Sequence, residues 1–261
     1  MTDLIRLDAL DLALALALVG AAVALARWQR LGLALPLAIA ASRTVLQLLV
    51  AGYLLAAVFA LNQPLAVLGV LAIMTTLAAI AARNRISKRL PGLVLTLWGA
   101  LLASSALTLS YTITVILQPP SWYEPQYLIP LAGMVLGNAM NSATVTGERL
   151  ASAITSSRLE IETHLSLGAT PTQAIARYRR EALRAGLLPL VNRMTVVGLV
   201  SLPGMLTGQV LSGTDPLDAA LYQILIMFMV AFAELVAALL VARGVARQFF
   251  NARAQVCRDR Y

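Results

Sequence analysis

The sequence predicts an all-α polytopic membrane protein of about seven transmembrane helices, with its N-terminus outside and its C-terminus in the cytoplasm. Three observations predict it. Of 261 residues, 59% are hydrophobic and only 12% charged, with a mean hydropathy of +0.80; a soluble domain carries about twice that charge. Apolar runs of about 20 residues recur along the chain, and ~20 residues of helix cross the hydrocarbon core. Basic residues collect in alternate gaps between those runs, the pattern that orients membrane helices.

The runs place segments at roughly 8–26, 38–61, 64–82, 91–117, 127–147, 187–211 and 218–242. Ahead of the first, Asp3, Asp8 and Asp11 stand where a signal peptide carries basic residues, so the N-terminus reads as retained. Asn62, Gln63 and Pro64 make a tight turn between the second and third segments. Arg27 and Arg30, then Arg83 to Arg89, Arg149 to Arg184 and Arg243 to Arg260 mark the cytoplasmic gaps and tail. The alternate gaps hold Glu124, Asp215 and Asp218, with Arg6 the one basic residue on that side. The whole of 1–261 reads as one transmembrane domain, with a cytoplasmic stretch at about 148–186 and a basic tail at 243–261. Its net charge of +8 lies in the gaps, so membrane orientation and anionic lipid explain it and nucleic acid does not.

The stretch at 148–186 is the sizeable polar element. Glu148 to Leu167 continues the fifth helix outward, and Gly168 suits the left-handed position that ends it. Ala169 leads into a new start: Thr170 caps, Pro171 takes the first helical position and Gln173 completes a T-x-x-Q capping box. Ile175, Tyr178 and Leu183 then fall near one face, and Arg177, Arg180 and Arg184 on another. One reading is an interfacial helix whose arginines hold lipid phosphates. The other is a coupling helix that docks into a cytosolic ATPase. Glu162, followed six residues later by Gly168 and a helix, resembles the E-A-A…G loop of ABC-transporter permeases. Thr163 and His164 replace the two alanines, and Tyr178-Arg-Arg-Glu181 stands where importers show I-x-L-P.

Within the membrane, Asn138, Asn141 and Thr144 recur every three residues in the fifth segment, a polar stripe for helix packing or for a substrate path. Gly133 and Gly137 form a G-x-x-x-G pair that predicts close helix approach. Pro203-Gly204 breaks the sixth segment in mid-membrane, flanked by Gly198 and Gly208 and followed by Gln209. Freed carbonyls at such a break need protein or water partners, so it faces the interior or a cavity. Glu234, near the middle of the last segment, must face inward and either pair or stay protonated. Arg43 lies near a helix end and reads as a snorkelling anchor. Met134, Met140, Met194, Met205, Met227 and Met229 suit soft metals by chemistry but read as ordinary membrane filling.

The single cysteine, Cys257, rules out an internal disulfide, and the single histidine, His164, lies in the polar stretch. No G-x-x-x-x-G-K-[ST], H-E-x-x-H or G-x-S-x-G occurs. The chain therefore reads as having no catalytic residues or cofactor of its own.

Three blocks, RTVLQLLVAGYLL (43–55), IPLAGMVLGNAMNSATVTGERL (129–150) and the long run from LSLGATPTQ through SLPGMLTGQ to YQILIMF, resemble the FetB family. These are permease subunits of ABC transporters, described in bacteria as iron exporters, with plant relatives linked to aluminium tolerance. The resemblance implies a bacterial inner-membrane protein that works with a separate cytosolic ATPase, which binds the ATP and magnesium. It implies a homodimer of permeases exporting iron or another metal cation. Glu162, Gly168, Ala169, Thr170, Pro171, Arg177 and Arg180 would couple it to the ATPase. Asn138, Asn141, Thr144, Pro203, Gly204, Gln209 and Glu234 would line the path, with the metal ligands unassigned. An organic cargo such as a nucleotide sugar, or an energy-independent carrier, remains the alternative.

Overall fold

A computed structural model describes residues 8–87, 90, 92–251 and 255. Arg6, Lys88, Arg89, Cys257 and most of the tail beyond Asn251 lie outside the described residues. The described residues form helices joined by short turns and loops, with no strand among them, and six helices are long and apolar enough to cross a membrane. The protein is a multi-pass membrane protein. Its chain divides into two units, one of residues 1–62 with 211–213, the other of 63–210 with 214–261.

The first unit is a helical hairpin. Helix α1 (Ala9–Trp28) opens on a reciprocal capping box between Asp8 and Asp11, which satisfies orphan amides and places acid at the positive end of the helix. Helix α2 (Ala34–Leu61) follows and ends on Asn62 in the left-handed conformation. Their large side chains are mostly exposed within the unit; Leu10, Leu18, Leu46 and Tyr53 all point outward. In a membrane, such a surface is solvated by lipid at no cost.

The second unit is a bundle built on two long helices, α5 (Pro125–Ser156) and α10 (Pro216–Phe249). Around them pack α3 (Pro64–Ile86), α4 (Leu93–Tyr111, continued by a π-helical turn at Thr112–Leu117) and α8 (Ala176–Val196). Small residues are prominent in the interior beside larger ones such as Leu97 and Leu101: Ala79, Ala82, Ala139, Ala143, Ala237 and Ala238 are fully or almost fully buried. Where lipid is as apolar as leucine, close packing of small side chains supplies the helix–helix attraction. A Cβ on Gly186 would lie 2.1 Å from Thr146 Oγ1 and 2.8 Å from the Ser142 carbonyl oxygen. One on Gly244 would lie 2.1 Å from Thr96 Cγ2. These glycines set the α5–α8 and α4–α10 crossings.

The expected G-x-x-x-G contact is not where the backbones meet. Gly133 has only the flexible tip of Met74 near it, at 3.4 Å, and Gly137 has nothing within 4 Å. The close approaches fall instead on glycines in polar surroundings, where no sequence pattern marks them. The sixth segment also differs from a single kinked span. Helix α8 ends at Val196, residues 197–203 form an irregular turn, and the short α9 (Gly204–Leu211) follows. Gly198 turns the chain at φ +83°, so the break begins before Pro203. At the other end, α10 runs on to Phe249, which makes the start of the predicted tail helical.

Candidate functional site

Three helices of the second unit bring their polar groups together at one level. Glu234 on α10 is buried, and its two oxygens are both engaged: Arg193 of α8 donates to Oε1 and the Ser142 hydroxyl of α5 to Oε2. The Arg193 side chain is 48% exposed and that of Glu234 2%. Arg193 Nη1 also donates to Asn138 Oδ1 at 2.9 Å, while Asn138 Nδ2 is tied to the Met134 carbonyl at 2.7 Å. That second bond fixes the amide, so its oxygen faces the guanidinium. Ser142 Oγ lies 3.0 Å from the Gly186 carbonyl oxygen as well. A hydroxyl carries one hydrogen, so Gly186 and Glu234 share that donor. The absence of a Gly186 side chain lets α8 come close enough for the arrangement to form.

Arg193 opens onto a cavity of about 410 Å³, lined also by Asn138, Pro203, Gly204 and Gln223, with Met134, Met205 and Met227 among its apolar walls. The broken segment forms one side of it. Gln223 is 7% exposed and its Oε1 has no hydrogen-bond partner. Buried carbonyls of this kind are nearly always paired, so an acceptor left open on a cavity wall marks a place for a donor. The charge that reaches the cavity is the arginine; Glu234 stands behind it.

The predicted pathway residues therefore separate. Asn138, Pro203 and Gly204 meet at the cavity. Glu234 joins through Arg193 and does not line it. Thr144 is buried against its own helix, donating to the Met140 carbonyl at 2.7 Å. Asn141 is exposed and does not line the cavity, and Gln209 is half-buried on α9. Arg193 and Gln223 escaped the sequence reading. The signal was there for Arg193: a mid-membrane carboxylate requires a partner, and Arg193 is the cation that falls within the sixth segment. Among the described residues no cluster of three or more His, Cys, Asp or Glu side chains forms a metal site.

The polar stretch folds as a hairpin. Helix α5 stops at Ser156 and α6 (Arg158–Ser166) resumes at once, so the expected continuation carries a bend at Ser157. Gly168 takes φ +92°, a conformation that costs a side-chain-bearing residue about 1 kcal/mol. The Ala169 amide reaches back to the His164 carbonyl at 3.0 Å. Thr170 and Gln173 form the expected reciprocal box at the start of α7 (Pro171–Ala174), whose last turn bends at Ile175 into α8. Ile161, Ala174, Ile175 and Tyr178 are buried between the two arms, while Leu183 is half-buried. The Tyr178 hydroxyl donates to Glu160 Oε2 at 2.7 Å and ties α8 to α6. Its pKa is raised: the Ser157 hydroxyl beside it lowers it, but the Glu160 carboxylate and burial outweigh that. Arg177 pairs with Glu181 at 3.0 Å on the exposed face, and that bond and charge raise its pKa. Glu162 pairs with Arg158. Arg180 and Arg184 are exposed.

Sequence comparison places this arrangement among known proteins. The model of an uncharacterised protein family, UPF0014, matches residues 9–250. A UPF0014 membrane protein of Synechocystis is 59% identical over 97% of this chain and 98% of its own length. The probable iron export permease protein FetB of Escherichia coli is 34% identical, covering 94% of this chain and 93% of its own. The ALUMINUM SENSITIVE 3 protein of Arabidopsis is also 34% identical, over 87% and 82%. No solved structure matches.

Proposed function

The chain belongs to the UPF0014 family, and from that premise we propose that it is the membrane-spanning permease subunit of an ABC transporter in the bacterial inner membrane. It exports iron or another metal cation, working as a homodimer with a separate cytosolic ATPase that binds ATP and magnesium. The observation that carries this reading is the 158–182 hairpin. Its buried side (Ile161, Ile175, Tyr178) packs it together, and its capped turn at Gly168–Pro171 leaves Arg177 and Arg180 exposed where a partner can reach them. The name of the Escherichia coli relative supports the cargo.

The broken sixth segment supports the second copy. Irregular backbone at membrane depth is tolerated only where protein or a water-filled cavity covers it. Residues 197–203 lie beside the cavity on one side, yet Leu199 is 90% and Val200 83% exposed. A second permease would cover that side and close the cavity into a path.

One observation favours a different cargo. The charge lining the cavity is a guanidinium, which repels a bare cation and pairs with a carboxylate or phosphate. An anionic organic substrate, such as a nucleotide sugar, fits that feature better than a naked metal ion. The test uses the permease purified with its ATPase in liposomes. ATP-driven movement of Fe(II) into inside-out vesicles establishes metal export. Vigorous ATP hydrolysis without iron movement keeps the ABC reading and overturns the metal cargo.

A further inference from the structure

At the far end of α10 from Asp215, a groove of about 890 Å³ runs between α4 and α10. Its α4 wall is Thr96, Gly99, Ala100 and Ala103, a spacing that puts them on one helical face. Gly244 faces them so closely that a Cβ would overlap Thr96, and Gln248 Nε2 donates to Thr96 Oγ1 at 2.9 Å. The floor is thus backbone and small side chains, apolar toward the bundle middle and polar at the end. On the rim, one turn apart, stand Arg243 and Arg247. Both are exposed, and neither forms an ion pair among the described residues. They sit at the end of the unit where Arg83, Arg85 and Arg149 also lie, because Gly147 of α5 meets both Ile86 at the end of α3 and Val241 of α10.

We propose that this groove binds an anionic phospholipid of the phosphatidylglycerol or cardiolipin class. The headgroup phosphate bridges Arg243 and Arg247, and an acyl chain lies along Gly99, Ala103 and Leu240. Three features choose a lipid. The chain spans a membrane and this groove opens at a helix end, where headgroups are. Two exposed guanidinium groups one turn apart offer a phosphate complementary charge. The apolar length behind them, ~10 Å from Thr96 to Ala103 at 1.5 Å per residue, has no use for a free anion but accepts an acyl chain. Nothing in this depends on the cargo or on the ATPase.

The experiment is a lipid titration of the full-length chain, delipidated in detergent, read by native mass spectrometry. Cardiolipin, phosphatidylglycerol and phosphatidylcholine are compared, with inorganic phosphate as competitor. At ~1 kcal/mol per arginine, Arg243→Gln with Arg247→Gln lowers anionic-lipid affinity by roughly 30-fold, and phosphatidylcholine binding does not change. Arg27→Gln, another exposed arginine, leaves every affinity as it was. Gly99→Leu, placed where a Cβ meets nothing within 4 Å, fills the groove and weakens lipid binding while both arginines remain. Unchanged cardiolipin and phosphatidylglycerol affinity in the double arginine variant overturns the proposal. So does full binding by Gly99→Leu, or inorganic phosphate displacing lipid at equal concentration, which would make the pair a simple anion site.

Discussion

Arg193 of α8 and Glu234 of α10 form an ion pair inside the bundle, with the carboxylate buried and the guanidinium half in a cavity. The asymmetry decides what each substitution does. Arg193→Ala strands a buried carboxylate with one hydroxyl partner, and breaking a buried pair from the side that leaves a charge uncompensated costs about 3 kcal/mol. Glu234→Gln leaves the arginine free to hydrate from the cavity, and its amide oxygen still accepts from Ser142, so it costs about 1 kcal/mol. Thermal unfolding of both variants in detergent checks the order. Equal losses would mean the two groups are equally desolvated.

Gly186 sits where α5 and α8 nearly touch. Gly186→Ala drives a methyl against Thr146 Oγ1 and the Ser142 backbone oxygen, and backbone cannot move aside as a side chain does. The expected loss is about 2 kcal/mol, and it displaces the Ser142–Glu234 bond with it. Gly137→Ala, with open space around it, should instead stabilise an isolated protomer by up to about 1 kcal/mol through helix propensity. Denaturation of the pair of variants distinguishes the used crossing from the unused motif.

The Tyr178–Glu160 bond holds the two arms of the hairpin together. Because the folded-state pKa of Tyr178 is raised above its ordinary value of 10.0, its contribution is complete below about pH 10. That contribution is lost as pH rises through the raised value. Amide exchange in 158–178 should be flat from pH 7 to 10, after correction for intrinsic rates, and accelerate above. Tyr178→Phe should remove that step and loosen the hairpin by about 1 kcal/mol at neutral pH.

Reversing the charge of Arg177 and Arg180 to Glu should abolish stimulation of the ATPase by the permease without unfolding either protein. Both side chains are exposed, and the Arg177–Glu181 pair is a solvent-screened surface pair whose loss does not threaten the fold. ATP turnover of the reconstituted complex reads the effect. Retained stimulation in the double variant would place the docking surface elsewhere.

Hydropathy was enough to place the six long membrane helices, because lipid punishes polar backbone and charge wherever they occur along the chain. The turn at Gly168 and the Thr170–Gln173 box were legible for a related reason: capping is a contact among residues a few positions apart, and one stretch of sequence contains all its parties. Pro203-Gly204 announced a break, but Gly198 moved its start upstream, since which turn yields first depends on what packs against it.

What the sequence by itself determined, then, is the class of protein, its spans and its local stops and starts, all set by interactions of short range or with the solvent. What only the tertiary structure decided is partnership. That Glu234 meets Arg193 and Ser142, 41 and 92 residues away, follows from three helices crossing at one level. That crossing is fixed by a side chain Gly186 lacks. Periodicity says which face of a helix turns inward, but the depth and angle at which two faces meet come from the packing of the whole bundle.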